Sequence, residues 1–319
     1  MQLPETLRSV IEGLVEGQSI QDLARHYQAL SDRYRREAAA SSLQIANPSE
    51  ALAYVAARLP ATYGTVSHAC NQLAQTLPDF TPTTLLDIGS GPGTAALAAL
   101  HAWSDSLNAV YLLEPNPYLR DLSQRLFEAT AIRPAYETTP LSTAPLIGKY
   151  DLVLASYVLN EIPELDLEHE LTRIWEATAG TLVLIEPGTP LGFDIVIRAR
   201  AHLISLGANL AAPCPHHMSC PLAKAERWCH MSVRIERSAL HKKLKNDASL
   251  GYEDEKFSYL IASRTQPHPP QSRLLGHPHG QKVIELELCK ADGAFANEII
   301  SKRDPRYKTA RKSKWGDAL

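Results

Sequence analysis

The sequence contains no long apolar run. None of its 319 residues belongs to a stretch of about 18 consecutive apolar residues, which is close to the minimum needed to cross a bilayer. Residues 1–17 carry three glutamates and no apolar core, so they resemble neither a signal peptide nor a transit peptide. We therefore expect no membrane partner and a cytoplasmic location.

Cysteine is scarce, and the paired knuckles of a structural zinc site are missing. Of the five cysteines, four are spaced C-x5-C-x8-C-x59-C near the C-terminal end. They are Cys214, Cys220, Cys229 and Cys289. Disulfides are not expected in a reducing compartment, so this set indicates metal ligation.

The spacing leaves the identity of the metal open. Structural zinc usually has paired C-x2–4-C knuckles, whereas cysteine thiolates at varied spacings hold iron–sulfur clusters. Four thiolates would fit a 4Fe–4S cluster, which the spacing favours over zinc. Zinc is the alternative, because His216, His217 and His230 lie among the cysteines. Unliganded cysteines are the remaining alternative.

Charge is unevenly distributed along the chain. Residues 1–200 contain 13 Lys/Arg against 23 Asp/Glu, whereas residues 201–319 contain 19 against 12. Within the basic part, the segment 301–314 combines Lys and Arg with Tyr307, and Trp315 follows it. Cations interleaved with aromatic rings suit a phosphate backbone and unstacked RNA bases. A solvated, disordered tail is the alternative.

A glycine-rich loop lies between a predicted strand and a predicted helix. Leu85–Ile88 leads into Gly89, Gly91 and Gly93, and a helical run begins at Thr94. The G-x-G-x-x-G spacing of a dinucleotide site is absent. Asp87, two residues before the first glycine, would repel a pyrophosphate but suits a ligand with an ammonium or sulfonium group.

Alternating apolar strands and helices predict an α/β fold with a parallel, Rossmann-like sheet. The predicted strands are 84–88, 109–113, 133–137, 150–155 and 181–185, followed by an antiparallel pair at 257–263 and 282–288. Glu114 ends the second strand, where nucleotide-binding sheets place a carboxylate on the ribose hydroxyls. The predicted organisation is a helical region over 1–82, a core over 83–200, a cysteine-rich metal-binding insertion over 201–256 and a C-terminal part over 257–319.

Several segments together resemble the methyltransferase-like proteins of small-ribosomal-subunit assembly. The matching segments are Tyr54–Tyr63, Leu86–Thr94, Glu186–Phe193, Cys214–His216, Cys220–Leu222, Trp228–His230, Ala310–Lys312 and Trp315–Asp317. The resemblance implies a seven-stranded class I methyltransferase sheet and association with small-subunit ribosomal RNA. It also implies S-adenosylmethionine at the glycine loop and a 4Fe–4S cluster on the four cysteines. The cofactor residues would be Asp87, Gly89, Ser90, Gly91, Gly93 and Glu114.

Three functions are compatible with these features: an rRNA methyltransferase, a non-catalytic assembly factor, and a small-molecule methyltransferase with structural zinc. Substrate contacts are expected in the loop 156–161, after the fourth strand. Glu161 or Tyr157 could act as a base there, but strand-end capping and packing are the favoured roles. We assign no catalytic residue from the sequence.

Overall fold

The computed structural model describes residues 1–36, 45–223, 227–245 and 250–319. Three helices precede the sheet: α1 (Glu5–Val15), α2 (Ile20–Arg36) and α3 (Pro48–Thr76). The sequence predicts a charged helix over 22–40, and the last four of those residues lie outside the described part. Among the described residues, no helix is long and apolar enough to cross a membrane.

Helix α3 is one continuous helix, although the sequence predicts a break at Pro60. Its start is capped by the Asn47 side chain, which accepts a hydrogen bond of 2.9 Å from the Glu50 backbone N–H. Proline inside a helix costs about 3 kcal/mol. Leu59 and Ala61 on either side of Pro60 are fully buried, so tertiary packing outweighs the lost hydrogen bond.

The central sheet has eight strands among the described residues. They are β1 (Thr84–Ile88), β2 (Ala109–Leu113), β3 (Ala135–Glu137), β4 (Tyr150–Ser156), β5 (Thr178–Pro187), β6 (Asn209–Ala212), β7 (Met231–Glu236) and β8 (Tyr252–Ser263). The order is β3-β2-β1-β4-β5-β8-β6, and β7 also pairs with β8. The first five strands are parallel, and β8 is antiparallel to β5. The predicted α/β Rossmann-like fold is confirmed.

The end of the sheet differs from the prediction. Residues 257–263 lie in β8, but the second predicted strand, at 282–288, begins at Val283 and lies in a separate three-stranded sheet. That sheet consists of β9 (Ser272–Leu274), β10 (Val283–Lys290) and β11 (Phe295–Ser301). The edge of the main sheet beyond β8 is occupied by β6, whose sequence Asn-Leu-Ala-Ala has little strand propensity. Its strand conformation comes from pairing with β8.

Helices cover both faces of the central sheet. These are α4 (Thr94–Ala102), α5 (Pro117–Phe127), α6 (Leu167–Ala177) and α7 (Pro190–Ser205); α8 (Ala239–Lys245) and α9 (Tyr307–Lys312) lie further along the chain. Leu85 belongs to the core on the α3–α4 side, whereas Leu86 and Ile88 belong to the core on the α6–α7 side. This alternation explains why β1 is apolar at nearly every position.

Candidate cofactor cleft and four-cysteine cavity

The glycine loop follows β1 at the carboxyl edge of the sheet. Gly89, Gly91 and Gly93 have positive φ angles of 62°, 56° and 79°. A Cβ atom on Gly89 would lie 2.4 Å from Val158 Cγ2, whereas a Cβ on Gly91 would meet no atom within 4 Å. The backbone at Gly91 therefore borders open space that a ligand can enter.

The Asp87 carboxyl group lies beneath this loop and is fully buried. Its Oδ2 accepts a hydrogen bond of 3.1 Å from the Ala96 N–H in the first turn of α4, and Oδ1 has no partner among the described residues. Burial, with a smaller contribution from the nearby Glu114, raises the pKa of Asp87 to about 8. A positive charge bound nearby would favour its ionised form.

The structure places Glu114 directly against the glycine loop. Its Oε2 accepts a hydrogen bond of 2.8 Å from the Gly91 N–H, and Oε1 accepts one of 2.7 Å from the Asn116 N–H. Ser90 ties the loop to the same strand end, because its N–H donates to the Leu113 carbonyl at 3.1 Å. The six predicted cofactor residues are therefore neighbours in space, at the ends of β1 and β2.

The loop after β4 is held in place by packing and hydrogen bonds. Tyr157 has a φ of 59°, which is unusual for a residue other than glycine. Its hydroxyl donates to Thr65 Oγ1 at 3.3 Å, and burial raises its pKa far above that of a free tyrosine. Tyr157 is therefore unsuited to act as a base near neutral pH.

Two further carboxyl groups border the same edge. Glu186 is fully buried, and its Oε1 accepts a hydrogen bond of 2.9 Å from the Leu159 N–H. Burial raises the pKa of Glu186 to about 8, and Glu161 adds to the effect. Glu161 ends a 3-10 turn after β4, and desolvation together with Glu114 raises its pKa to about 7.

Tyr54 and Arg58, which belong to a segment of the family resemblance, lie on α3 and have no role predicted from the sequence. The Arg58 guanidinium contacts the Glu255 carboxylate at 2.9 and 3.3 Å. Electrostatic interactions connect Tyr54 with Arg58, Glu114 and Glu161, which places this face of α3 beside the cleft. The sequence signal for this pair is its i, i+4 spacing, which places both side chains on one face of a helix.

The four cysteines of the C-terminal part border one cavity. Cys214 follows β6, Cys220 lies in the next loop, Cys229 precedes β7, and Cys289 lies on β10; all four line this cavity. All are free thiols. Burial and the neighbouring thiols raise the pKa of Cys289 to about 12. The sequence places Cys289 just after a strand of the main sheet, whereas it belongs to the smaller sheet.

The cavity is not a preformed site for a single metal ion. In the parts of the chain that the structure describes, no three His, Cys, Asp or Glu side chains are arranged to hold one. His217 Nε2 already accepts a hydrogen bond of 2.8 Å from the Leu210 N–H, and His230 packs between the rings of Trp228 and Trp315. The predicted metal-binding insertion thus contributes thiols that border a common cavity.

The basic C-terminal segment is ordered at its centre, where α9 lies. Its Lys and Arg side chains are exposed, but Tyr307 is buried, and its hydroxyl donates to the Gln281 carbonyl at 2.5 Å. Tyr307 is therefore not available to stack on a base, contrary to the sequence-based expectation. Arg306 pairs with Glu298 and Asp304 at 3.0 Å each.

A family model described as "Mitochondrial small ribosomal subunit Rsm22" matches residues 48–319. The chain belongs to the Rsm22 family. The human protein "Ribosome assembly protein METTL17, mitochondrial" is 26% identical over 294 residues, which cover 84% of this chain and 62% of that protein. "Rsm22-cox11 tandem protein 2, mitochondrial" of Schizosaccharomyces pombe is 27% identical over 327 residues, which cover 84% of this chain and 43% of that protein. This Rsm22-family chain therefore matches less than two thirds of the length of either relative.

Solved structures are similar to the chain only at low sequence identity. Magnesium protoporphyrin IX methyltransferase from Synechocystis PCC 6803, solved with bound SAM, is 14% identical with a TM-score of 0.43, over 82% of this chain and 99% of that one. Similarity at this level carries no information on what the Rsm22-family chain binds.

The expectation of a cytoplasmic location is wrong. The family description and the names of the human and yeast relatives are all mitochondrial. The expectation rested on the absence of signal and transit patterns in residues 1–17, and such an absence does not identify a compartment.

Proposed function

We propose that this Rsm22-family chain binds S-adenosylmethionine at the glycine loop and assists assembly of the small subunit of a mitochondrial-type ribosome. The ribosomal part rests on the family match over 48–319. The observation that carries the cofactor assignment is the contact between the Glu114 carboxylate and the Gly91 N–H at the open side of the loop. A carboxylate at this strand end is the group that binds ribose hydroxyls in nucleotide-binding sheets.

The charge of the cleft favours a cationic ligand. Asp87, Glu114, Glu161 and Glu186 influence one another's pKa values, and Asp87 and Glu186 each keep one buried oxygen without a partner among the described residues. The cation Arg58 at this edge is already paired with Glu255. A sulfonium nucleotide brings the positive charge that such a cleft lacks, whereas a pyrophosphate would add negative charge.

The loop after β4 favours the assembly role over catalysis. Methyl transfer needs positioning of an acceptor beside the sulfonium, and sometimes a base. Tyr157 is buried and bonded to Thr65, and Glu186 is bonded to the backbone of the same loop. The second candidate, an rRNA methyltransferase, is favoured by Glu161, whose pKa of about 7 suits a base.

We further propose that Cys214, Cys220, Cys229 and Cys289 hold a 4Fe–4S cluster, with zinc as the alternative. A single zinc ion requires all its ligands within about 2.3 Å of one point, and no three side chains among the described residues have such an arrangement. The cysteines instead border a common cavity, as a larger centre requires. When bound, the cluster would connect the loop after β6 to β10 and supply a redox couple.

Two experiments test these assignments. Anaerobically purified full chain is analysed for iron, sulfide and zinc, with Cys220→Ser as the variant and Cys70→Ser as the control, because Cys70 is buried in α3 and does not line the cavity. Iron and sulfide in wild type and C70S but not in C220S support the cluster. A colourless protein containing only zinc refutes it.

The second experiment maps methylated nucleotides of the small-subunit RNA in cells with and without the gene. An unchanged methylation pattern with stalled small subunits supports the assembly factor. Loss of a specific methyl mark supports the enzyme. Normal subunits with every mark intact would contradict both roles.

A further inference from the structure

Two arginines line the four-cysteine cavity and are almost fully buried. Arg200 on α7 is 4% exposed and Arg273 on β9 is 1% exposed. Neither forms an ion pair with Asp or Glu in the described ranges, although most other buried or half-buried arginines of the chain do. Buried cations are normally paired, so these two indicate a missing negative charge.

Their hydrogen bonds hold the cysteine-bearing segments without neutralising the charge. Arg200 Nη2 donates to the carbonyls of His216 and Met218 at 2.9 and 2.7 Å. Both carbonyls lie in the loop between Cys214 and Cys220. The Arg200 Nε–H has no partner among the described residues, so one donor of this buried guanidinium is left over.

Arg273 connects three parts of the chain at the same cavity. Its Nε donates to the Pro213 carbonyl and its Nη1 to the Gly316 carbonyl, both at 2.9 Å. Gln72 of α3 accepts another hydrogen bond from Nη1. The second terminal nitrogen, Nη2, is buried without a partner in the described part of the chain. Each of the two arginines thus has an unused donor.

Both guanidinium groups line the same cavity as the four thiols. Four thiolates on a divalent ion or on a 4Fe–4S core of charge 2+ leave a net charge of 2−. Two guanidinium groups match that charge, whereas three thiolates and a neutral histidine would leave one positive charge over.

We propose that Arg200 and Arg273 are the counter-cations of a centre held by all four cysteines, and that they set its reduction potential. This inference rests on the proposed metal centre. A nearby buried positive charge favours the reduced, more negative state of the centre, because buried charges are little screened by salt. The two arginines are positioning residues, since they act through the thiolates and the loop carbonyls.

The test compares charge-removing and charge-keeping variants of the full chain, reconstituted anaerobically with ferrous iron and sulfide. Arg200→Gln and Arg273→Gln remove the charge, and Arg200→Lys and Arg273→Lys keep it. The matched control is Arg198→Gln on the same helix, whose guanidinium pairs with the exposed Glu164 at 3.0 Å. Iron content and the midpoint potential are measured for each variant.

We expect each glutamine variant to lower the equilibrium constant for reduction of the centre about tenfold, which lowers its midpoint potential by about 59 mV for one electron. The lysine variants and R198Q should keep a potential near that of the wild type. Loss of iron from the glutamine variants alone also supports the proposal. Glutamine variants with wild-type iron and the potential of R198Q overturn it, as does equal loss of iron from the lysine variants. If Arg273→Gln fails to fold, Arg200→Gln decides.

Failure of the underlying assignment is distinguishable from failure of this inference. If the wild-type chain takes up no metal, both the proposed centre and the counter-cation role are refuted. A wild-type chain that takes up zinc is compared with its variants by chelator competition. About tenfold weaker zinc retention in the glutamine variants supports the counter-cation role, and equal retention overturns that role alone.

Discussion

Substitution of two neighbouring glycines by alanine separates folding from ligand binding at the cleft. Gly91 and Gly93 both have positive φ, so alanine at either position costs about 1–2 kcal/mol of backbone strain. A Cβ at Gly93 would also lie 2.6 Å from Phe127 Cε2 and 3.0 Å from Ser123 Oγ. Overpacking of this kind adds about 1–3 kcal/mol. At Gly91 no atom lies within 4 Å of the new Cβ.

We therefore expect Gly93→Ala to lose about 2–5 kcal/mol of unfolding free energy, the sum of strain and overpacking. Gly91→Ala should lose only the strain, about 1–2 kcal/mol, but its Cβ would occupy the space through which the ligand approaches. Urea unfolding followed by circular dichroism measures the first effect, and calorimetric titration with S-adenosylmethionine measures the second.

The test asks which of the two variants is less stable and which binds S-adenosylmethionine more weakly. Gly91→Ala should be the more stable variant and yet the weaker binder, relative to its folded fraction. If Gly91→Ala proves as unstable as Gly93→Ala, or binds S-adenosylmethionine like wild type, the open side of the loop is not the ligand face.

Three further results are expected. The pKa of Asp87 is about 8 in the folded chain and 3.8 ordinarily, so between these pH values the folded state binds a proton that the unfolded state does not. The free energy of unfolding should therefore fall as pH rises from about 4 to 8. Asp87→Asn should flatten that fall, as measured by urea midpoints. S-adenosylmethionine should bind more tightly than S-adenosylhomocysteine, and its binding should release protons at pH 7, as measured by calorimetry in two buffers. Glu161→Gln should narrow the difference in affinity between the two ligands. Equal affinities in the wild type would contradict a charge-selective cleft. Neutral substitutions of Lys308 and Lys312 should weaken rRNA binding and reduce its salt slope by about one per lost phosphate contact, whereas Arg306→Gln, which removes an already paired cation, should change binding less.

The parts of the fold that sequence reasoning predicted are those specified locally. The strand Thr84–Ile88, its glycine loop and helix α4 are encoded by an apolar run, three glycines and an alanine-rich stretch within one short segment. That Glu114 lies beside the glycine loop could be predicted because parallel strands β1 and β2 bring their carboxyl ends together. These inferences needed no knowledge of distant contacts.

The errors concern features that depend on distant partners. Residues 282–288 have a strand pattern, but a pattern does not say which sheet the strand joins. Strand β6 has almost no pattern, because its partner β8 determines its conformation. Tyr307 lies among cations in the sequence, yet it packs inward against β10 and β11. In each case tertiary context decided what local sequence could not.

The cleft and the cavity are connected by the chain between β5 and α7. Glu186 at the end of β5 bonds to the loop after β4, and two residues later the Gly188 carbonyl accepts a hydrogen bond of 2.9 Å from Trp228 Nε1, next to Cys229. The helix that begins at Pro190 then carries Arg200 into the cavity. A disturbance in this turn must therefore reach both sites, because each is fastened to it by hydrogen bonds to buried groups. In the described part of the chain, the glycine loop makes no hydrogen bond to this turn or to the cysteine-bearing segments, and its link to the turn runs through the packing of Gly89 against Val158 in the loop after β4. Damage to the glycine loop should therefore disturb the cysteines less than damage to the turn.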